Sequence, residues 1–128
     1  MNKKVISTAA ILGAIAIILG AFGAHALKKV LDADQLATFE TGVKYQMYHA
    51  LFLLFVGTSV LVSEKAKKAI YYLVVTGVVF FSGSIYLLAT NDLTSFDFKV
   101  IGFVTPIGGF LLIMAWFWLF FDFFKKKS

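Results

Sequence analysis

The chain has 128 residues, of which 60% are hydrophobic, and its mean hydropathy is +0.88. A soluble domain of this size keeps much of its surface in water and needs polar helix faces, so this composition indicates a membrane protein. There is no cysteine, which excludes disulfides, thiol catalysis and cysteine metal sites. The net charge of +5 comes from twelve lysines without any arginine, the side chain best suited to phosphate and base contacts, and we therefore exclude nucleic acid as a partner.

Four segments contain no Asp, Glu, Lys or Arg: Val5–Ala24, Tyr45–Ser63, Ala69–Thr90 and Val100–Phe121. A helix needs roughly 20 predominantly apolar residues to cross the hydrocarbon core of a bilayer. The segments lack the alternating pattern of barrel strands, which leaves helices as the only spanning structure. The sequence therefore predicts one all-α domain, an integral membrane four-helix bundle with four transmembrane helices.

The distribution of lysine predicts the orientation of this bundle. Four crossings put both termini on one side, together with the connection between the second and third segments. That side carries eight lysines, and the other carries four. The positive-inside rule then predicts a multi-pass plasma-membrane protein with both termini in the cytoplasm. The lipid bilayer is its environment, and anionic lipid is the expected partner of the lysine-rich cytoplasmic face.

The N-terminus has an alternative interpretation. Lys3 and Lys4, an apolar stretch and the sequence Ala24-His25-Ala26 resemble a secretory signal with its cleavage site. The apolar stretch has 20 residues, whereas the core of a signal peptide has about 7–15. A retained span is therefore the favoured prediction.

The connections between segments carry local signals. Asp32 and Gln35 resemble a capping box, which predicts a short interfacial helix from near Ala33 that bends at Gly42 and continues into the second span. The segment 64–68 is predicted to form a tight turn between the second and third spans.

Small residues predict where helices pack closely. Ala16, Gly20 and Ala24 recur at intervals of four, the spacing that lets membrane helices approach each other within the bundle or in a homo-oligomer. In the fourth span, Gly102, Pro106 and Gly109 share one face. Pro106 lacks a backbone donor, so we expect it to kink the outer half of this helix.

Polar side chains within the spans are predicted to lie at similar depths in the outer half of the bundle. Polar groups in membrane helices usually face the interior and are candidates for function. They predict a ligand or partner pocket formed by His25, Gln46, His49, Ser84 and Tyr86. The alternative is that these groups only tie the helices together through hydrogen bonds.

Enzymatic and cofactor chemistry is not indicated. Two histidines are too few for a zinc site, which takes three or four protein ligands, so neither a metal nor another cofactor is expected. Ser82 or Ser84 beside His49 would lack the carboxylate that orients the histidine of a catalytic triad. Trp116 and Trp118, near the end of the fourth span, are typical of an aromatic belt at the inner interface.

Four motifs are distributed along the chain between residues 20 and 109. They are GAFGAHAL at 20–27, FETGVKYQMYHAL at 39–51, FSGSIYL at 81–87 and TPIGG at 105–109. In order and spacing they resemble the domain-of-unknown-function family numbered 423, whose animal members are called transmembrane protein 256. The resemblance implies a small multi-spanning membrane protein without a settled biochemical activity.

Two functions remain open at this stage. The first is a non-enzymatic binding protein with its pocket in the outer half of the membrane. The second is a small transporter or channel subunit, which would have to act as an oligomer because four helices are too few to enclose a roomy pore.

Overall fold

The computed structural model describes residues 1–95 and 97–126, which form an all-helical fold without strands. The helices are α1 (Asn2–His25), α2 (Ala33–Thr58), α3 (Glu64–Val78), α4 (Ser84–Ala89) and α5 (Val104–Phe124). A π-helical segment, Val79–Gly83, joins α3 to α4, and short 3₁₀ turns lie at Leu27–Lys29, Asn91–Leu93 and Phe98–Ile101.

Among the residues that the structure describes, three helical runs are long and apolar enough to cross a membrane: Asn2–Lys29, Glu64–Ala89 and Phe98–Phe124. The helix α2 is long but is not among them. Its first half holds the charged residues Asp34, Glu40 and Lys44, which lower its mean hydropathy. An all-helical fold with helices of spanning length is thus confirmed.

The turn between α2 and α3 differs from the prediction. α2 ends at Thr58, and residues 59–63 connect it to α3, whereas the sequence placed the turn at residues 64–68. The side chain of Ser63 accepts a hydrogen bond from the backbone N–H of Ala66 and caps α3, so the helix begins at Glu64. A serine cap ahead of a charged first turn is therefore the physical reason for the shift.

The predicted kink at Pro106 is wrong. α5 begins only at Val104, and Pro106 lies in its first turn, where a backbone donor has no acceptor within the helix. Val100 belongs to a 3₁₀ turn, and Gly102 lies exposed between that turn and α5. The proline therefore helps to start the helix and does not bend its middle.

The predicted capping box at the start of α2 is confirmed. Asp32 accepts from the N–H of Gln35 at 2.8 Å, and the side chain of Gln35 accepts from the N–H of Asp32 at 3.0 Å. From Ala33 onward α2 is one uninterrupted helix, so the predicted start near Ala33 and the continuation into the second apolar segment are confirmed, and within α2 no separate helical element precedes that segment. Gly42 serves close packing, because a Cβ atom there would lie 2.7 Å from the ring of Tyr86.

The helices α1 and α2 pack along almost their whole length. At one end Gly57 lies against Val5, and at the other Gly23 lies against Phe39. Ala16 is buried and Gly20 faces Val43, as expected of a packing stripe. Ala24 is exposed, and the buried Gly23 makes the contact in its place. The contacting residues are therefore spaced by four and then by three, close to the 3.5-residue period of left-handed helix pairs.

The helix α5 crosses the π-helical segment at a second close contact. A Cβ atom on Gly108 would meet the backbone N of Phe81, and it would lie 2.7 Å from the carbonyl carbon of Phe80. One turn later, the side chain of Leu112 packs against Gly77 of α3. A Cβ atom on Gly77 would lie 2.7 Å from the Leu112 side chain. The adjacent Gly109 has only ordinary contact with Phe81, 3.5 Å from its ring. Gly102 and Pro106 of the predicted packing face are exposed, so that face is wrong, and the tight contact is made by Gly108, which faces the π-helical segment.

Both ends of the described chain lie at the same end of the bundle. The ammonium of Lys67 donates to the side chain of Asn2 at 3.0 Å, and the hydroxyl of Ser63 donates to Asp122 at 2.7 Å. Between this end and the middle, the interior is filled by apolar side chains that include Val5, Leu53, Val56, Ile70 and Val74, each without exposed surface. This core packs α1, α2 and α3 together, and Leu112 and Ala115 of α5 belong to it as well.

Candidate functional site

Gln46 joins three helices at the centre of the bundle. Its Nε2 donates to the backbone carbonyl of Leu12 in α1 at 2.9 Å, and its Oε1 accepts from the hydroxyl of Tyr86 in α4 at 2.6 Å. The side chain is only 4% exposed, so both bonds are shielded from solvent. Gln46 and Tyr86, predicted from the sequence as members of one site, are therefore in direct contact.

His49 lies one turn further along α2 and bonds to a residue of α5. Its Nδ1 is 2.7 Å from the carbonyl oxygen of Tyr45, and its Nε2 accepts from the indole N–H of Trp116 at 3.1 Å. A carbonyl can only accept and an indole N–H can only donate. The two partners therefore require the neutral imidazole with its proton on Nδ1. The indole also stacks on Phe52, with ring centroids 3.9 Å apart.

The two serines connect the π-helical region to its neighbours. Ser82 donates to the carbonyl of Gly42 in α2 at 2.7 Å, and it is 1% exposed. Ser84 donates to the carbonyl of Phe81 at 3.0 Å and shares a hydrogen bond of 2.6 Å with the hydroxyl of Thr105 in α5. Ser84 thus links α4 to α5, and its hydrogen bonds go to Phe81 and Thr105, not to Gln46 or Tyr86.

Within residues 1–95 and 97–126, no buried side-chain nitrogen or oxygen lacks a hydrogen-bond partner. The bonds of Gln46, His49, Ser82 and Ser84 each include a partner on another helical element. This arrangement favours the structural interpretation of these polar groups, because each such bond contributes about 0.6–2 kcal/mol to helix association in a membrane. A ligand of these atoms would have to replace a bond that the folded chain already makes.

His25 lies apart from the other predicted site residues. It is exposed at the end of α1, whereas Gly13, halfway along α1, is level with Met47 and Ala50 on either side of His49. Twelve residues of helix separate the levels of the two histidines, which corresponds to about 18 Å. The two imidazoles therefore cannot share a ligand or an ion.

A lateral groove of about 360 Å³ opens between α2 and α5 beside His49. Tyr45, on its rim, is 42% exposed, and Tyr48 next to it is 52% exposed. Neither hydroxyl has a hydrogen-bond partner in the part of the chain that the structure describes. The groove, which we call the α2–α5 groove, is lined by Tyr45, His49, Phe81, Gly109, Leu112, Ile113 and Trp116.

Sequence reasoning missed the role of Trp116. Its position near the end of the fourth apolar segment was interpreted as part of an aromatic belt, but α5 continues to Phe124 and Trp116 lies near its middle. An indole N–H in the middle of an apolar helix needs a hydrogen-bond partner. The sequence feature that could have indicated this contact is the position of Trp116, well before the lysines that follow the helix.

The all-helical fold, the apolar helices of spanning length and the buried interhelical hydrogen bonds define a small helical membrane protein. Residues 19–109 match the model of a family described as "Protein of unknown function (DUF423)". The chain belongs to this family, as the motifs in the sequence indicated.

The chain aligns with curated bacterial membrane proteins over most of their length. A UPF0382 membrane protein of Haemophilus influenzae is 37% identical over 128 residues, covering 100% of this chain and 99% of that protein. One from Staphylococcus saprophyticus is 41% identical, covering 90% and 95%. The UPF0382 inner membrane protein YgdD of Escherichia coli K12 is 38% identical, covering 84% and 79%. No solved structure matches the chain.

Proposed function

We propose that the protein is a non-enzymatic, multi-pass plasma-membrane protein that binds a lipid-soluble molecule in the α2–α5 groove. In this proposal all four helical runs cross the bilayer and both termini are cytoplasmic. Three runs have spanning length, and α2 packs beside α1 from Gly57 to Phe39, so the two helices enter the bilayer together. The excess of lysine at the end that holds both termini supports the orientation.

The observation that carries the binding proposal is the pair of unpartnered hydroxyls on Tyr45 and Tyr48. Both residues lie on the exposed surface of α2, and the exposed Lys44 directly precedes Tyr45 on that surface. The described residues offer neither hydroxyl an acceptor, so each can donate a hydrogen bond to a bound molecule. A lipid-soluble molecule with an acceptor oxygen would bond to these hydroxyls while its apolar part lies in the groove.

The size and lining of the groove fit such a molecule. About 360 Å³ lies within the range of roughly 300–1,000 Å³ typical of small-molecule sites. Phe81, Leu112 and Ile113 offer apolar contact, and the groove opens sideways, so a molecule dissolved in the bilayer can enter without crossing water. His49 and Trp116 also line the groove and are already paired to each other.

Photolabelling of the full chain in lipid vesicles tests this proposal. The probe is a long-chain fatty acid that carries a diazirine, and the labelled residues are mapped by mass spectrometry. We expect the label to concentrate on the residues that line the α2–α5 groove. Equal labelling of all lipid-facing helix surfaces would contradict the proposal.

A filled groove provides the matched comparison. A Cβ atom on Gly109 would have ordinary contact with Phe81 at 3.5 Å, so the substitution Gly109→Leu occupies the groove without forcing the backbone apart. We expect this variant to lose most of the groove label. The control Ala10→Leu adds the same bulk on the exposed surface of α1 and should keep the wild-type labelling pattern.

A further inference from the structure

A second cleft, of about 660 Å³, lies between the start of α3 and the end of α5. It lies at the end of the bundle that holds both termini, on the opposite side of the bundle's middle from the predicted outer pocket. Lys65 and Lys125 line its mouth, and Met114, Phe117, Trp118 and Phe121 line its length. We call it the α3–α5 cleft and propose that it binds one anionic diacyl phospholipid of the leaflet at the lysine-rich end.

The two lysines at the mouth are available for a phosphate. Elsewhere at this end, Lys67 pairs with Glu64, Lys126 pairs with Asp122, and Lys4 donates to the hydroxyl of Tyr72. Neither Lys65 nor Lys125 forms an ion pair with a carboxylate of a described residue. Basic pockets between helices on the cytoplasmic side of a membrane are typical sites for anionic headgroups.

The acid in the cleft is already neutralised by the protein. Both carboxylate oxygens of Asp122 accept hydrogen bonds from Ser63, at 2.7 Å from the hydroxyl and 3.1 Å from the backbone N–H. Lys126 adds an ion pair at 3.9 Å. Asp122 therefore anchors the end of α5 to the cap of α3. The charge of Lys125 also acts on this carboxylate without forming an ion pair, and Lys65, Lys125 and Lys126 together leave an excess of positive charge at the mouth.

The order of chemical groups along the cleft matches a phospholipid. Trp118 lies seven residues before Lys125 on the same helical run, which is about 10 Å, and Met114 lies about 16 Å from it. Along the cleft from its mouth, the lysine charges come first. The indole N–H of Trp118, which has no partner among the described residues, follows, and the apolar surface comes last. Phe117 and Phe121 are 53% and 49% exposed, so an acyl chain could lie along them. A free phosphate or an acidic peptide would use only the mouth of this cleft.

Lipid titration of the full chain in detergent, followed by native mass spectrometry, tests the inference. The probes are phosphatidylglycerol and phosphatidylcholine with the same acyl chains. We expect preferential binding of one phosphatidylglycerol, and the double substitution Lys65→Gln and Lys125→Gln should weaken it by about 30-fold, the effect of losing two lysines at an anionic surface. The control Lys28→Gln with Lys29→Gln, at the other end of the bundle, should bind as the wild type does.

A second measurement follows the acyl chain. In a Trp116→Phe background, Trp118 is the remaining tryptophan, and phosphatidylglycerol with brominated chains should quench it at a lower mole fraction than brominated phosphatidylcholine does. Equal quenching by the two lipids, or equal binding by the double lysine variant, would overturn the inference. Displacement of the bound lipid by millimolar inorganic phosphate would also overturn it, because the site would then recognise phosphate alone. None of these results depends on the α2–α5 groove.

Discussion

The indole N–H of Trp116 donates to Nε2 of His49 across 3.1 Å, and this bond joins α5 to α2 where the two helices enclose the lateral groove. Because Nδ1 of His49 bonds to the carbonyl of Tyr45, the imidazole ring is held from both sides. Stacking of the indole on Phe52 holds the other partner in place. The pair therefore sets the shape of the groove wall.

Replacing Trp116 by phenylalanine should lower the free energy of unfolding by about 1–2 kcal/mol, because the stacking surface remains but Nε2 of His49 loses its donor. Thermal unfolding of the purified protein in detergent measures this change. Trp118→Phe is the control, since the described residues offer its indole N–H no acceptor. Equal losses in both variants would mean that the hydrogen bond contributes nothing.

Gly108→Ala should destabilise the protein by about 1–3 kcal/mol or more, because the new methyl group meets the backbone of Phe80 and Phe81, which cannot rotate away as a side chain can. Gly83→Ala, in the same π-helical region, brings the added Cβ within 4 Å of no atom outside its own stretch of helix. It should be neutral or raise stability by up to about 1 kcal/mol, because alanine favours helical backbone more than glycine does. The comparison is again made by thermal unfolding in detergent.

The bonds of Gln46 can be separated by a double-mutant cycle with Tyr86. Tyr86→Phe removes one hydrogen bond and should cost about 1 kcal/mol, whereas Gln46→Leu removes that bond and the one to Leu12 and should cost about 2 kcal/mol. The double variant should then cost little more than Gln46→Leu alone. Strict additivity of the two single effects would show that the residues act independently.

The orientation can be tested with single cysteines, since the natural sequence contains none. Exposed positions are Lys28 and Asp92 at one end of the bundle and Lys65 at the other. In intact cells a membrane-impermeant maleimide should label Lys28→Cys and Asp92→Cys, and Lys65→Cys only after the membrane is opened. Labelling of Lys28→Cys and Asp92→Cys from opposite sides would end the four-crossing proposal.

Several features were readable from the chain because they depend on neighbours in sequence. The Asp32–Gln35 capping box needs only residues three apart, and the long apolar runs need only composition. The start of α3 was misplaced although Ser63 is a common cap, because the apolar run continued through Val62 and hid the helix end. Pro106 was misread for the same reason: the fourth apolar run begins four residues before α5 does.

Pairings between distant residues could not be read in this way. The residues that meet at the groove, His49 and Trp116, are 67 positions apart, and nothing local indicates which helix face an indole will occupy. Ser82 was one of several polar residues in its span, and only the π-helical segment turns it towards the carbonyl of Gly42.

Composition and hydropathy were sufficient to predict the helical class and the membrane environment. Apolar side chains are costly to expose to water, and unpaired backbone groups are costly to expose to lipid. The packing of α5 against the π-helical segment at Gly108, and with it the opening of the groove beside His49, depended on how the surfaces of several helices fit together. That fit is a property of shapes brought into contact by the folded chain, and no single helix contains it.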